Sequence, residues 1–252
     1  MNRSIIKSRA GYEICCRHTL TGTEDKVVLI MHGFGSSKES FTAEMLAQYL
    51  PQKGIGTFAF DFPAHGESPV SGDQLTLTNC LADMEAAEEE IKRFAPGARI
   101  GYFGSSFGAY MTLLYLASAA EQGREYGNKA FLRSAAVEMP QLLANRTKEG
   151  AALLECQGYL MADEDYVRPL KLTREFFDEL DANDVFEAYQ TGTAELYMVH
   201  GSADDVASPE AAARFAEQAG AQLTVIDGGD HQLSLPGMPE QVIALAERFF
   251  SK

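Results

Sequence analysis

The stretch of this chain with the clearest chemical meaning is Gly104-Ser105-Ser106-Phe107-Gly108. It follows Arg99–Phe103, a run of strand length, and opens Phe107–Ala120, which is apolar nearly all round, as a buried helix is. A serine on so sharp a strand-to-helix turn is held in a strained conformation with its oxygen exposed above a sheet. Residues two positions away on either side must be small, because strand and helix nearly touch there; Gly104 and Gly108 meet that demand. A serine hydroxyl is a weak nucleophile near neutral pH. It needs a base within hydrogen-bond reach, and the base needs an orienting carboxylate.

Five histidines compete for the part of base. His18 lies in an early strand-like stretch with no turn signal. His32 and His200 each end a strand just before a glycine, where an imidazole more often supports loop backbone. His65 sits in the tight turn Asp61–Gly66. His231 follows the last apolar run in Asp227-Gly228-Gly229-Asp230-His231, a loop at a strand's carboxyl end that can carry an imidazole over the serine. His231 is therefore the expected base. The carboxylate should come from another strand end, and His200-Gly201-Ser202-Ala203-Asp204-Asp205 offers two; Asp204 is the choice and Asp205 the reserve. Negative charge developing on an acyl oxygen also needs fixed donors, each lowering the barrier by about 3–4 kcal/mol. The backbone amides of Phe34, in His32-Gly33-Phe34-Gly35, and of Phe107 are the expected pair.

Six strand-sized apolar runs must position these groups: Val27–Met31, Ile55–Phe60, Ile100–Phe103, Phe131–Val137, Leu196–Val199 and Leu223–Ile226. They are largely apolar on both sides of the alternation, as buried parallel strands are. Helical spacing fills the intervals. Phe41, Met45, Tyr49, Leu46 and Leu50 line one face after Ser40, a plausible N-cap, and Leu77, Leu81, Met84 and Ile91 do the same further on. After Pro209 come Ala212, Phe215, Ala216 and Ala219, and Val242, Leu245, Ala246 and Phe249 close the chain. Strands alternating with helices predict an α/β fold with a mostly parallel sheet covered on both faces.

One interval breaks the rhythm. Residues 138–194 hold twelve acidic and five basic residues, no buried strand, and amphipathic helical patches at Ala151–Tyr159 and Arg174–Tyr189. This is read as a small helical cap inserted between two strands of a single domain, 1–252. Its aromatic residues (Tyr159, Tyr166, Phe176, Phe177, Phe186, Tyr189) have two roles open to them: walling an acyl pocket or forming the cap's own core.

Composition narrows the partners. There are 36 acidic against 21 basic residues, a net charge of −15 with histidines neutral. Such charge favours solubility and repels polyanions and anionic lipid, so neither nucleic acid nor a membrane surface is expected. No apolar run nears the roughly 18 residues of a membrane span, and Met1–Ala10 lacks the apolar core of a secretory signal. The four cysteines show neither a disulfide framework nor metal-ligand spacing, which fits a reduced, cytoplasmic chain and no metal.

The pieces His32–Gly35, Asp61-Phe62-Pro63-Ala64-His65-Gly66-Glu67-Ser68, the serine turn, Gly201–Asp204 and Gly229–His231 occur in an order that resembles the α/β-hydrolase superfamily over nearly the whole chain. In that superfamily the nucleophile, acid and base follow the order Ser106, Asp204, His231. Within it, the Asp61–Ser68 turn and Arg168-Pro169-Leu170-Lys171 in the cap look similar to small bacterial cinnamoyl and feruloyl esterases. Two positions depart from those relatives: Phe107 replaces a frequent glutamine and Ser105 a frequent histidine. The resemblance implies the α/β-hydrolase fold, an acyl-enzyme on Ser106, a small-molecule ester as substrate and no cofactor. Two other readings stand beside it: an aminopeptidase or amidase, with the acidic cap drawing in a free ammonium, and a non-catalytic binding protein. A buried glutamate facing the pocket would favour the first of these.

Overall fold

In a computed structural model, residues 1–163 and 166–252 are described; residues 164 and 165, within the predicted cap interval, lie outside them. The elements run β1 (Asn2–Lys7), β2 (Glu13–His18), β3 (Lys26–Met31), α1 (Phe41–Tyr49), β4 (Ile55–Phe60), α2 (Leu77–Phe94), β5 (Arg99–Ser105), α3 (Phe107–Glu121) and β6 (Lys129–Arg133). Then follow α4 (Met139–Arg146), α5 (Ala151–Gln157), β7 (Tyr159–Ala162), β8 (Leu170–Thr173), α6 (Arg174–Asp181) and α7 (Val185–Ala188). The chain closes with β9 (Glu195–Gly201), α8 (Pro209–Ala219), β10 (Gln222–Ile226) and α9 (Met238–Ser251).

Eight strands form one sheet in the order β1-β2-β4-β3-β5-β6-β9-β10. The pairs β1–β2 and β2–β4 are antiparallel; every later pair is parallel. In β3, Val27, Leu29 and Met31 face a core shared with α2, α3 and α8, while Val28 and Ile30 face a second core shared with α1 and α9. A strand buried on both faces has no polar side to alternate, which is why its sequence reads as a continuous apolar run. This is the α/β-hydrolase fold.

Several elements differ from the sequence reading. The run Phe131–Val137 stops as a strand at Arg133, because Ser134 takes a left-handed conformation (φ 47°) and turns the chain out of the sheet. Leu223–Ile226 is an edge strand rather than a buried one: only Ile226 is buried, and Val225 is 53% exposed. Ser40 does cap α1, accepting a hydrogen bond from the Ala43 amide, but the buried face is Ala43, Met45, Leu46 and Ala47. Phe41, expected in that stripe, is 66% exposed.

The interval 138–194 is not wholly helical. β7 and β8 pair antiparallel, and the alternating burial of Leu170, Lys171, Leu172 and Thr173 is the period-2 signal the helical reading passed over. Gly158 (φ 79°) ends α5, so Tyr159 begins a strand instead of finishing a helix, and Arg174–Tyr189 divides into α6 and α7. Leu160, Leu170, Leu172, Phe176, Leu180, Val185 and Tyr189 join the same core as the body of the sheet. No helix among the described residues is long and apolar enough to cross a membrane.

Candidate active site

Ser106 stands between β5 and α3 at φ 51°, ψ −113°, a conformation L-residues rarely adopt. The turn is tight enough to require its glycines. A Cβ on Gly104 would lie 2.6 Å from the Ala109 Cα and from the Gly108 carbonyl oxygen, and a Cβ on Gly108 would run into the carbonyls of Met31 and His32. The Ser106 amide donates to the Arg133 carbonyl (2.9 Å), tying the turn to β6.

His231 comes from the loop between β10 and α9, and Asp204 from the loop after β9. Gly201 lets the two loops meet: a Cβ there would strike the Gly229 carbonyl. The His231 Nε2 lies 3.0 Å from the Ser106 Oγ, and its Nδ1 lies 2.8 and 3.0 Å from the two Asp204 carboxylate oxygens. A carboxylate can only accept, so Nδ1 carries the proton and Nε2 is left to accept from the serine hydroxyl. Asp205, the reserve, is exposed at the surface.

Asp204 is buried and holds two further sets of donors. Its Oδ1 accepts from the amides of Val206 (2.9 Å) and Ala207 (2.8 Å). The His200 Nε2 lies 3.0 Å from its Oδ2 and 3.0 Å from the Ala207 carbonyl, so it donates to both. Burial alone would push the Asp204 carboxyl up; the hydrogen bonds from His200, His231 and the Ala207 amide outweigh it. They hold the group well below the usual carboxylate range. His200 does support loop backbone, as its place before a glycine suggests. Its second contact, with the carboxylate, was not anticipated; the signal was its position four residues before Asp204.

The loop after β3 passes over the serine. A Cβ on Gly33 would sit 3.5 Å from the Ser106 Cβ. His32 pins this loop by donating from Nδ1 to the Gly33 carbonyl (2.8 Å) and accepting at Nε2 from the Phe62 amide (3.1 Å). The Phe34 ring packs against Phe107, Phe176, Tyr166 and His65. Among the described residues, the amides of Phe34 and Phe107 donate to no protein acceptor. Phe107 is also the first residue of α3, where the helix dipole favours negative charge.

A cavity of about 310 Å³ opens beside Ser106. Its apolar wall is Phe41, Met45, Val242 and Ile243 from the starts of α1 and α9; hydroxyls of Ser36, Ser40, Thr42 and Ser234 and the side chain of Arg133 supply polarity. The cap contributes Val167 alone among the described residues. Of the two roles left open for the cap aromatics, the packing favours the core: Phe176 and Tyr189 are buried, and Tyr166, Phe177 and Phe186 pack against the same cluster. The cap is instead fastened to the Gly33–Ser36 loop, through a hydrogen bond from the Val167 amide to the Gly35 carbonyl (2.8 Å) and the Tyr166 ring over Gly35.

Arg133 escaped the sequence reading. It ends β6 opposite Ser105, donates from Nε to the Ser105 Oγ (3.1 Å), and from Nη1 to the carbonyls of His231 (3.3 Å) and Gln232 (2.6 Å). A charge inside an otherwise apolar strand run was the available clue. No cluster of three His, Cys, Asp or Glu side chains disposed to hold a metal ion occurs among the described residues.

A sequence model of the alpha/beta hydrolase family matches residues 27–245, and the chain belongs to that family. Among solved structures, a protein from Agrobacterium vitis S4 superposes with a TM-score of 0.83 at 18% identity, over 99% of this chain and 98% of that one. Est1E from Butyrivibrio proteoclasticus, solved with ferulic acid bound, gives 0.81 at 18% identity over 99% and 100%. The esterase domain of a Rhodothermus marinus protein gives 0.73 at 18% identity over 99% and 98%. Compared by sequence with curated proteins, the chain matches none.

Proposed function

We propose that the chain is a serine hydrolase that cleaves carboxylic esters. The observation that carries this reading is the unbroken line from the Ser106 hydroxyl through the His231 imidazole to the Asp204 carboxylate, at the edge of a cavity that admits a small molecule. Ser106 Oγ attacks the acyl carbon while His231 Nε2 takes its proton. The tetrahedral oxyanion is held by the amides of Phe34 and Phe107. As it collapses, His231 returns the proton to the departing alcohol and leaves an acyl group on Ser106. A water molecule, deprotonated by the same imidazole, then releases the acid and restores the serine.

The strained backbone at Ser106 supports this reading, because a left-handed serine serves no ordinary turn better than glycine would. The names of the fold neighbours, Est1E and an esterase domain, agree with an ester substrate. The amidase alternative asks for an acidic group to receive a free ammonium, and no Asp or Glu is among the described residues lining the cavity. A fluorophosphonate probe tests the proposal directly: it should label the folded chain at Ser106, and Ser106→Ala should abolish both labelling and ester hydrolysis, a loss of at least about 10⁴-fold. Absence of label on well-folded protein would return the chain to the non-catalytic reading.

A further inference from the structure

We infer that Arg133 makes the cavity beside Ser106 selective for esters that carry a carboxylate close to the scissile bond, with the Nη2 group of its guanidinium as the recognising group. This rests on the serine-hydrolase reading and adds the substrate class.

Three of the five guanidinium donors are accounted for by the bonds to Ser105, His231 and Gln232. The Nη2 group has no partner among the described residues, is absent from the buried polar atoms left unbonded, and belongs to a side chain that lines the cavity. Two N–H donors therefore remain available at the edge of the site. Nε and Nη1 are both held, so the guanidinium plane is already oriented before a ligand arrives, which lowers the ordering cost of binding.

Charge points the same way. Arg133 is the one permanently charged side chain among the described residues lining the cavity, in a chain of net charge −15. Burial pushes its guanidinium down to about 10, with Asp204 and Asp230 opposing, so it remains charged at neutral pH. Neither carboxylate is free to neutralise it by contact. Asp204 is spent on His231, His200 and two amides, and Asp230 accepts from the Ser234 amide (2.9 Å) and hydroxyl (2.8 Å). A cation partly withdrawn from water and lacking a contact anion among the described residues gains most from a carboxylate that arrives with the substrate. The spacer must be short, because Arg133 bonds directly to Ser105 and to the backbone of His231, the neighbours of the reacting groups. Bracing the His231 loop against Ser105 would explain the Nη1 and Nε contacts; it gives no reason for the unspent Nη2.

Monoethyl succinate and ethyl butanoate, equal in chain length and differing by one carboxylate, test this with the full chain in a pH-stat at low salt. The wild type should favour the anionic ester in kcat/KM by about tenfold or more, and added salt should shrink the preference. Arg133→Met should bring the ratio to one or below, and Arg133→Lys should retain part of it. A purely bracing arginine would lower both rates on removal and leave the ratio unmoved, so the ratio separates the two roles. A wild-type ratio at or below one, or an unchanged ratio in Arg133→Met, overturns the inference while fluorophosphonate labelling of Ser106 keeps the hydrolase reading. Binding of the same two esters to Ser106→Ala, followed as a rise in melting temperature, decides the matter without turnover. Stabilisation by the anionic ester alone, lost when Arg133→Met is added, supports the site, and equal stabilisation by both esters refutes it.

Discussion

The ends of β4 and β9 each hold a buried aspartate among cationic or imidazole partners, and the two clusters differ in what they leave unspent. After β4, Asp61 accepts from the amides of Lys38 (2.8 Å) and Glu67 (2.9 Å) and from the Lys38 ammonium (2.7 Å), which also donates to Glu67 (2.6 Å). Burial works against the Lys38 charge, yet Asp61 and Glu67 outweigh it and raise its pKa. His65 beside it is sealed from solvent, with Nδ1 donating to the Pro63 carbonyl (2.9 Å). Those bonds join two loops, 33–40 and 61–67, and none of Lys38, Asp61, His65 and Glu67 lines the cavity beside Ser106. After β9, by contrast, His231 keeps a side-chain exposure of 16% and its Nε2 faces the Ser106 hydroxyl at the cavity edge. The residue types are similar; what separates the cluster we propose to be reactive from the other is a place at the cavity edge and one proton acceptor left for a ligand.

The largest effect should come from the β9 side. Asp204→Asn would replace a carboxylate that can only accept with an amide that can also donate, so the His231 tautomer is no longer fixed, and turnover should fall by about 10⁴-fold. Asp205→Asn, at an exposed position, should change kcat by less than about threefold. Equal losses in steady-state kinetics, or the reverse order, would dissolve the distinction between the two aspartates.

On the β4 side the same substitution should cost stability instead. Asp61→Asn leaves the buried Lys38 ammonium with Glu67 alone, and we expect about 3 kcal/mol less unfolding free energy, a melting temperature about 6–12 °C lower. Below that temperature Ser106 should still take a fluorophosphonate label. Calorimetry showing no shift, or a folded variant that loses its label, would make this cluster part of the site.

A smaller, pH-dependent effect sharpens the contrast. Burial pushes the His65 imidazole down to about 3, against about 6.5 in an unfolded chain. Between those values the unfolded state binds a proton that the folded state refuses. The contribution is thus fully present above about 6.5 and is lost as pH falls toward 3, by about 1.4 kcal/mol per pH unit. His65→Gln removes that titration, so the stability gap between wild type and variant, measured by urea unfolding, should narrow at that slope between pH 6 and pH 4. A gap independent of pH would mean that His65 is not held neutral.

Much of the framework was legible in the residues. The turn around Ser106 announces itself locally, because strand, small residue, serine, small residue and helix must be contiguous for the backbone to reverse so sharply. The parallel strands were visible for a related reason: β3, β4 and β5 are buried on both faces and leave unbroken apolar runs. Where that condition fails, the reading weakened. β1 and β2 at one edge and β10 at the other carry exposed residues, and β8 alternates over only four positions.

Chain-local information therefore determined the central strands, the turn and the three strand ends that carry Ser106, Asp204 and His231, since each depends on neighbours within a few residues. Tertiary packing decided the rest. It set His200 against Asp204, opened the cavity between the starts of α1 and α9 with Phe41 among its lining, and buried Phe176 and Tyr189 in the core. It also put the end of β6 beside the loops after β5 and β10, so that Arg133 spans them. Those outcomes depend on which surfaces meet across long stretches of chain, and residue spacing carries no record of that meeting.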